Sequence, residues 1–174
     1  MTTFRLIRHG EPEWSLAAGG NLKDVGDGWA VHVVPLTQTG IRQIAEASEP
    51  CEAEDYQLVI SSPMTRALQS ANVISRILDL DLRVEFDLHE WVCAWRPSLE
   101  LVDKTVAEML SLGGEWPSGE TRDWEPLSGV RTRVSRVLDR YRDFERIIVV
   151  CHETVIFSLT GKWVGHAESV TLER

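Results

Sequence analysis

The sequence predicts an α/β protein, a three-layer α/β/α sandwich with a mostly parallel central sheet. Short apolar runs that suit buried strands alternate with longer segments whose apolar residues recur at helical spacing. This alternation of strands and helices typically builds a parallel sheet that is covered on both faces. The length of 174 residues and the 43% hydrophobic content suit one domain with its own core. Because we find no repeat or linker, we expect a single domain over residues 1–174.

The first half of the chain is predicted to hold three strands and two helices. The strands are apolar runs bounded by turn residues, over residues 3–8, 56–61 and 82–86. Thr37 is suited to cap a helix that runs to about residue 49, where Pro50 stops it. Ser62, followed by Pro63, predicts the start of the second helix, which runs to about residue 78.

The second half is predicted to contain three helices and two strands. Ser98 suits the cap of a helix that ends near residue 110, and Ser128 suits the cap of the next one. The second of these helices has apolar residues at helical spacing: Val130, Val134, Val137, Leu138 and Tyr141. The last elements are a Val-rich central strand over 145–151, a short helix over 154–160 and an edge strand over 169–173.

Charge and cysteine content exclude several classes of partner. The net charge of −9 argues against broad binding to nucleic acid or to anionic membranes. The longest apolar run, residues 147–151, is too short to span a bilayer. Three distant cysteines without a C-x-x-C motif fit a reducing compartment, and the N-terminus leads into a strand without a signal sequence. We therefore expect a cytoplasmic protein, and the sequence does not indicate its oligomeric state.

Cationic and titratable residues stand where the predicted strands end. Arg8 and His9 close the first strand, Arg66 follows the second, and His152 follows the Val-rich strand. These strand ends meet at the carboxyl edge of a parallel sheet, where α/β proteins bind ligands. Guanidinium groups suit phosphate, and Arg66 near a helix N-terminus is unfavourable unless an anion is bound. The four residues predict a pocket for a doubly charged anion, and Glu90 in the loop after the third strand reaches the same edge.

Several stretches resemble, in order along the chain, the histidine phosphatase (phosphoglycerate mutase-like) superfamily. They are Leu6-Ile7-Arg8-His9-Gly10-Glu11, Pro35-Leu36-Thr37-x-x-Gly40-x-x-Gln43, Ser61-Ser62-Pro63-x-x-Arg66-Ala67, Leu88-x-Glu90 with Trp95, Gly119-Glu120-Thr121 and Val149-Val150-Cys151-His152. The Arg-His-Gly motif alone is moderately specific, but its combination with the other stretches covers essentially the whole chain. The resemblance implies the phosphoglycerate mutase-like fold.

The resemblance implies a metal-independent phosphatase that needs no cofactor and works through a phosphohistidine. His9 would attack phosphorus, while Arg8, Arg66 and His152 would bind the phosphate oxygens. Glu90 would protonate the leaving oxygen and then activate water. Phosphoryl transfer needs mainly positioning and charge stabilisation, which these groups can supply without a metal. Because the mechanism needs neutral His9 and protonated Glu90, and favours protonated His152, we expect a bell-shaped pH dependence.

The chain departs from the family pattern at several positions. Glu153 stands where members often have Gly, which puts a carboxylate close to the anion site. Pro12 replaces a common Thr or Ser, and Ser15 replaces a common Asn. The loop over residues 16–34 is longer than in compact members. These departures leave the substrate open, and we expect a small-molecule phosphate ester or a phosphoprotein.

Two alternative functions remain open. The shortness of the chain favours a phosphatase over a mutase, since mutases of the family are generally longer. A mutase would require the loop over residues 11–36 to close over the pocket. A non-catalytic phospho-ligand binding module would result if Glu153 or Ser15 abolishes turnover.

Other residues that could carry chemistry have weaker interpretations. The pairs His89-Glu90 and His152-Glu153 resemble the zinc motif H-E-x-x-H, but its closing positions hold Cys93 and Ile156. The remaining histidines, including His89, have no spacing that indicates a site: His32, His89 and His166. Because strand neighbours point to opposite faces, a buried Cys151 thiol is expected rather than a Cys-His pair. Other carboxylates could replace Glu90: Glu13, Glu153 or one within residues 87–100.

Two long irregular segments, residues 11–36 and 87–127, are predicted to be cap-like insertions. Their tryptophans either line an aromatic mouth over the anion pocket or pack the cap, and the sequence does not decide between these roles. The arginines of the last long helix are predicted to lie on its solvated face: Arg131, Arg133, Arg136, Arg140 and Arg142.

Overall fold

A sheet with strand order β3-β2-β4-β1-β5 lies at the centre of the protein. The computed structural model describes residues 1–18, 31–94 and 99–174. The strands are β1 (Thr3–Arg8), β2 (Leu58–Ser61), β3 (Leu82–Val84), β4 (Arg146–Cys151) and β5 (Ser169–Glu173). The first four strands run parallel, whereas β5 pairs antiparallel with β1. The predicted mostly parallel sheet is confirmed, with the Val-rich strand β4 in the middle.

Helices cover both faces of this sheet. Their bounds are α1 (Ser15–Ala18), α2 (Gln38–Ser48), α3 (Thr65–Leu78), α4 (Leu99–Ser111), α5 (Leu127–Asp139) and α6 (Glu153–Thr160), with 3₁₀ turns at Glu49–Cys51 and Phe86–Leu88. Alternate strand residues such as Ile7 and Val150 pack with α2 and α3. Their neighbours, such as Leu6 and Val149, pack with α5 and α6. This arrangement confirms the three-layer sandwich.

Of the three predicted helix caps that the structure describes, one is observed and two hydroxyl side chains form other hydrogen bonds. Thr37 caps α2 as predicted, accepting from the Gly40 N–H at 2.8 Å. Ser62 does not cap α3, because its Oγ accepts from the Met64 N–H in a turn that precedes the helix. Ser128 lies inside α5, where its N–H and hydroxyl both donate to the carboxylate of Glu115.

The two long segments contain regular structure that the sequence did not predict. Residues 11–36, predicted as a loop, hold α1 and a helical turn at residues 31–33, and their ends pair as a bridge between Pro12 and Leu36. β3 ends two residues earlier than predicted, because Phe86 begins a 3₁₀ turn. The predicted cap Ser98 lies outside the described residues.

The tryptophans of the second long segment pack in the core. Trp91 and Trp124 are buried there with Met109 of α4, and Trp116 packs against the same cluster. The indole N–H of Trp91 donates to the carbonyl of Glu125, which ties two parts of the segment together. These residues therefore have the packing role rather than the aromatic-mouth role. Trp29 and Trp95 lie outside the described residues.

Two glycines bring α2 against the loop that follows β1. A Cβ placed on Gly10 would lie 2.3 Å from the carbonyl oxygen of Gly40, and one on Gly40 would lie 2.3 Å from the carbonyl oxygen of Glu11. Neither position has room for a side chain. Gly10 therefore lies directly against the backbone of α2.

In the described ranges, no helix has both the length and the apolar character that crossing a membrane requires. The three cysteines are free thiols and all are buried. Cys151 packs with the β4 residues that face α5 and α6, and burial raises the pKa of its thiol. The expectation of a buried thiol beside His152 is therefore confirmed.

Candidate active site

His9 and His152 lie side by side at the carboxyl edge of the sheet. β1 and β4 are parallel neighbours, and their register pairs Arg8 with Cys151. His9 and His152 are the next residues of the two strands, and their ring centroids lie 5.1 Å apart. The N–H of His9 donates to the carbonyl of Cys151 at 3.1 Å, which extends the ladder past the strand ends. The predicted meeting of the two strand ends is therefore observed.

Hydrogen bonds and burial hold His9 as a neutral imidazole. Its Nδ1 lies 2.8 Å from the carbonyl oxygen of Gly10. Because a carbonyl can only accept, Nδ1 carries the hydrogen and Nε2 presents its lone pair. Nε2 accepts a hydrogen bond from Nε of Arg66 at 3.0 Å. Burial first, and then the charge of Arg66, hold the pKa of His9 well below its ordinary value of 6.5. This tautomer can act as a nucleophile through Nε2.

Ser62, at the end of β2, orients the second histidine. Nε2 of His152 lies 2.7 Å from the Ser62 hydroxyl oxygen. That oxygen accepts from the Met64 N–H, so its own hydrogen can be donated to Nε2. The hydrogen of the neutral ring is then on Nδ1, a buried atom without a hydrogen-bond partner among the described residues. A buried N–H of this kind can donate a hydrogen bond to an oxygen of a bound anion.

The protonation state of His152 differs from the prediction. Burial is the largest influence on the ring and, together with the charge of Arg66, lowers the pKa of His152 well below its ordinary value. The ring is fully buried and is therefore neutral near pH 7, because burial removes the solvation that an imidazolium needs. A neutral ring still offers its Nδ1–H as a donor.

Arg66 lies in the first turn of α3 and points back towards the histidines. Its Nη1 donates to the carbonyl of Val31 at 2.7 Å, and the guanidinium lies 5.5 Å from the centroid of the Trp14 ring. Burial lowers the pKa of Arg66 to about 10, so the group remains cationic at neutral pH. Two parts of the segment 11–36 therefore contact this arginine. Trp14 has the position expected of a residue in the aromatic mouth over the anion pocket.

Arg8 is fixed by contacts of its two terminal nitrogens. Its Nη1 donates to the carbonyl of Val164 at 2.7 Å, and Nη2 lies 2.9 Å from a carboxylate oxygen of Glu153. Its Nε–H is buried and has no hydrogen-bond partner within the described ranges. The predicted proximity of Glu153 to the anion site is confirmed, and the carboxylate offsets part of the positive charge of Arg8. We call the group formed by Arg8, His9, Arg66 and His152 the anion site.

Glu90 approaches the anion site from the segment that follows β3. Its carboxylate accepts from the N–H of Trp91 at 2.8 Å. The charges of Arg66 and Arg8 act on this carboxyl, but burial has the largest effect and raises the pKa of Glu90 above its ordinary value of 4.5. Glu90 is partly accessible all the same. The carboxyl therefore holds a proton more readily than an ordinary glutamate, as a general acid requires.

Two of the other candidate carboxylates, those of Glu13 and Glu153, have their own partners. Glu13 contacts the hydroxyl of Ser15 in the turn before α1, and Glu153 is paired with Arg8. Asp87 lies on the 3₁₀ turn that leads towards Glu90. Arg66 and Arg8 both act on the carboxyl of Glu90.

His166, which the sequence analysis sets aside, lies at the anion site. Its ring centroid is 5.7 Å from that of His9, and the N–H of Ala167 donates to the carbonyl of Arg8 at 3.1 Å. β5 runs antiparallel to β1, so the residues before β5 lie where β1 ends. An antiparallel edge strand next to the strand that leads into the anion site is the signal that would have found His166.

The prediction of a fully solvated arginine face on α5 is wrong for one residue. Arg133 is buried and the other four are exposed. Position 133 lies three residues after Val130 and four before Val137, which places it on the apolar side of the helix. This spacing is the signal that the sequence analysis missed.

The remaining histidines lie near the arginines of this region. Burial, followed by the charge of Arg66, lowers the pKa of His32, and burial followed by the charge of Arg133 lowers that of His89. Within the described part of the chain, no group of three or more His, Cys, Asp or Glu residues is arranged to hold a metal ion.

Comparisons with known proteins agree with the architecture and the motifs. The model of the histidine phosphatase superfamily (branch 1) matches residues 4–171. "Uncharacterized phosphatase PhoE" of Bacillus subtilis is 34% identical over 165 residues, which cover 95% of this chain and 79% of the relative. "Probable phosphoglycerate mutase GpmB" of Proteus mirabilis is 31% identical over 171 residues, with 95% and 76% covered. The solved structure of a mycobacterial glucosyl-3-phosphoglycerate phosphatase has a TM-score of 0.72 at 18% identity, over 99% of this chain and 91% of that one. This chain therefore belongs to the histidine phosphatase superfamily.

Proposed function

We propose that the protein is a metal-independent phosphatase that hydrolyses a phosphate monoester through a phosphohistidine on His9. The observation that carries this proposal is the environment of His9, a buried neutral ring with Nδ1 bound to Gly10 and Nε2 directed at Arg66. A phosphate that enters the site can take over the Arg66 donor, which frees the Nε2 lone pair for attack. Two further buried donors, Nε of Arg8 and Nδ1 of His152, are available for phosphate oxygens.

The reaction proceeds in two balanced steps. In the first, the lone pair of His9 Nε2 forms a bond to phosphorus, the ester P–O bond breaks, and the leaving oxygen takes the proton of Glu90. In the second, water attacks phosphorus, its proton passes to the Glu90 carboxylate, and the P–N electron pair returns to Nε2. The raised pKa of Glu90 and the lowered pKa of His9 favour the protonation states that the first step needs.

Glu153 favours a hydrolase over a mutase. The substrate of this hydrolase would be a small phosphate ester or a phosphoprotein. The Glu153 carboxylate is partly accessible and lies on Arg8. A mutase that acts on phosphoglycerate has to bind a second anionic group beside the phosphate, and a carboxylate at this place repels such a group. The name of the Proteus mirabilis relative keeps the mutase as the second candidate.

The decisive experiment compares the wild type with the variant His9→Ala. We expect the wild type to release inorganic phosphate from a panel of phosphate esters without added metal, and to form an acid-labile phosphoenzyme. In His9→Ala both are lost, with turnover reduced by about 10⁴-fold or more. Thermal unfolding checks that the variant is folded. An isomeric phosphate ester as product would instead identify a mutase, and unchanged ligand affinity without any wild-type turnover would identify a binding module.

A further inference from the structure

Arg133 lies on α5, outside the anion site, yet it is one of the best-satisfied polar side chains described. Its side chain is about one-tenth exposed. Burial of a cation is unfavourable unless the group is paired and its donors are used. A helix position between two core valines would accept an apolar residue at lower cost, so the presence of arginine needs a reason.

All five N–H groups of the Arg133 guanidinium are used. Nε and Nη2 form a bidentate pair with the Glu125 carboxylate at 2.8 and 2.9 Å. The other three hydrogens go to backbone carbonyls: Nη1 donates to Asp87 at 2.6 Å and to His89 at 2.9 Å, and Nη2 donates to Glu90 at 3.3 Å. The pairing with Glu125 offsets the charge of the guanidinium. The remaining three N–H groups form hydrogen bonds to backbone carbonyls.

The three carbonyls belong to the short segment from which the Glu90 side chain projects. Asp87 lies on the 3₁₀ turn Phe86–Leu88, and His89 and Glu90 follow it outside any strand or helix. We infer that Arg133 is a positioning residue that holds the Glu90 carboxyl in place for proton transfer, an inference that rests on the proposed function. A guanidinium can bind three carbonyls and a carboxylate at once, whereas lysine cannot.

Charge alone does not explain the arrangement. Burial raises the pKa of Glu90, and among the arginines that oppose this effect Arg133 comes after Arg66 and Arg8. Because the charge of Arg133 lowers the pKa of Glu90, the loss of Arg133 would not make this carboxyl give up its proton more readily. A loss of acid catalysis in its absence would reflect the position of the carboxyl, not its protonation state.

The test uses the double variant Glu125→Gln/Arg133→Met, which removes both charges and leaves no buried carboxylate alone. We compare kcat/KM for phenyl phosphate, whose leaving group needs a proton, and for 4-nitrophenyl phosphate, whose stabilised phenolate does not. We expect a loss of about 30-fold with phenyl phosphate and about threefold or less with 4-nitrophenyl phosphate. Glu90→Gln provides the benchmark pattern. Arg136→Met, an exposed arginine of the same helix, serves as the control and should change neither value.

Equal losses with both substrates, or no loss with either, would overturn the inference. Thermal unfolding verifies the fold of the double variant, and if that variant does not fold, Arg133→Lys is measured instead. It keeps the charge opposite Glu125 but loses the carbonyl contacts, so the same dependence on the leaving group is expected, and an unchanged ratio contradicts the inference. Retained turnover in His9→Ala would refute the proposed function itself, which is a separate result.

Discussion

The floor and the wall of the candidate active site are held in different ways. On the floor, His9 and His152 directly follow β1 and β4, so the sheet register sets their separation. On the wall, Glu90 lies on a segment outside the sheet, and three backbone carbonyls of this segment accept from one side chain, Arg133 of α5. Backbone ladders are cooperative and hard to perturb by one substitution. The wall depends on a few side-chain contacts. We therefore expect single substitutions to displace Glu90 more easily than they displace His9 and His152.

The largest effect among the following tests is expected at Arg66, which bridges floor and wall. Arg66→Ala removes the donor to His9 Nε2 and the main cation of the anion site. We expect kcat/KM for 4-nitrophenyl phosphate to fall by about 10³-fold, as for the loss of a charge-stabilising donor in the transition state. Arg76→Ala, exposed on the same helix, is the matched control. A loss below tenfold would mean that the floor works without this residue.

A smaller effect is expected at Glu90, on the wall. In the proposed mechanism the active form has His9 neutral and Glu90 protonated. Since the pKa of His9 is lowered from 6.5 and that of Glu90 is raised from 4.5, activity falls when acid protonates His9 or when base deprotonates Glu90. We expect Glu90→Gln to lower kcat/KM for phenyl phosphate by about 10²-fold and to remove the alkaline limb of the pH profile. An alkaline limb that persists in the variant assigns it to another group.

The smallest effect is expected at the rim, where Glu153 lies on Arg8. Both side chains are partly exposed, so the pair contributes about 1 kcal/mol or less. Glu153→Gln frees the Arg8 donor for phosphate, and we expect inorganic phosphate to inhibit up to about fivefold more tightly. Glu145→Gln, which makes the same charge change at the opposite edge of the sheet, is the control. Weaker inhibition in Glu153→Gln would show that the carboxylate positions Arg8 rather than competing with phosphate.

The difference between floor and wall also explains which features sequence reasoning could find. Apolar runs that end in Arg8-His9 and in His152 are local patterns, and parallel strands bring such ends to one edge. The contacts of Arg133 join residues more than 40 positions apart, and no local pattern shows a guanidinium bound to distant carbonyls. Helical spacing indicates that Arg133 is buried, but it does not indicate which groups Arg133 binds. His166 required the pairing of β5 with β1, which the sequence predicted only as an edge strand.

The contact between Gly10 and Gly40 has a consequence for the mobility of His9, the proposed nucleophile. Where two side-chain-free backbones meet, their separation is set by the radii of main-chain atoms, and no rotamer change can lengthen or shorten it. Gly10 also provides the carbonyl that fixes the His9 ring. The His9 imidazole is thus held against α2 through main-chain atoms alone. We therefore expect motion of the flanking segments to displace His9 Nε2 very little.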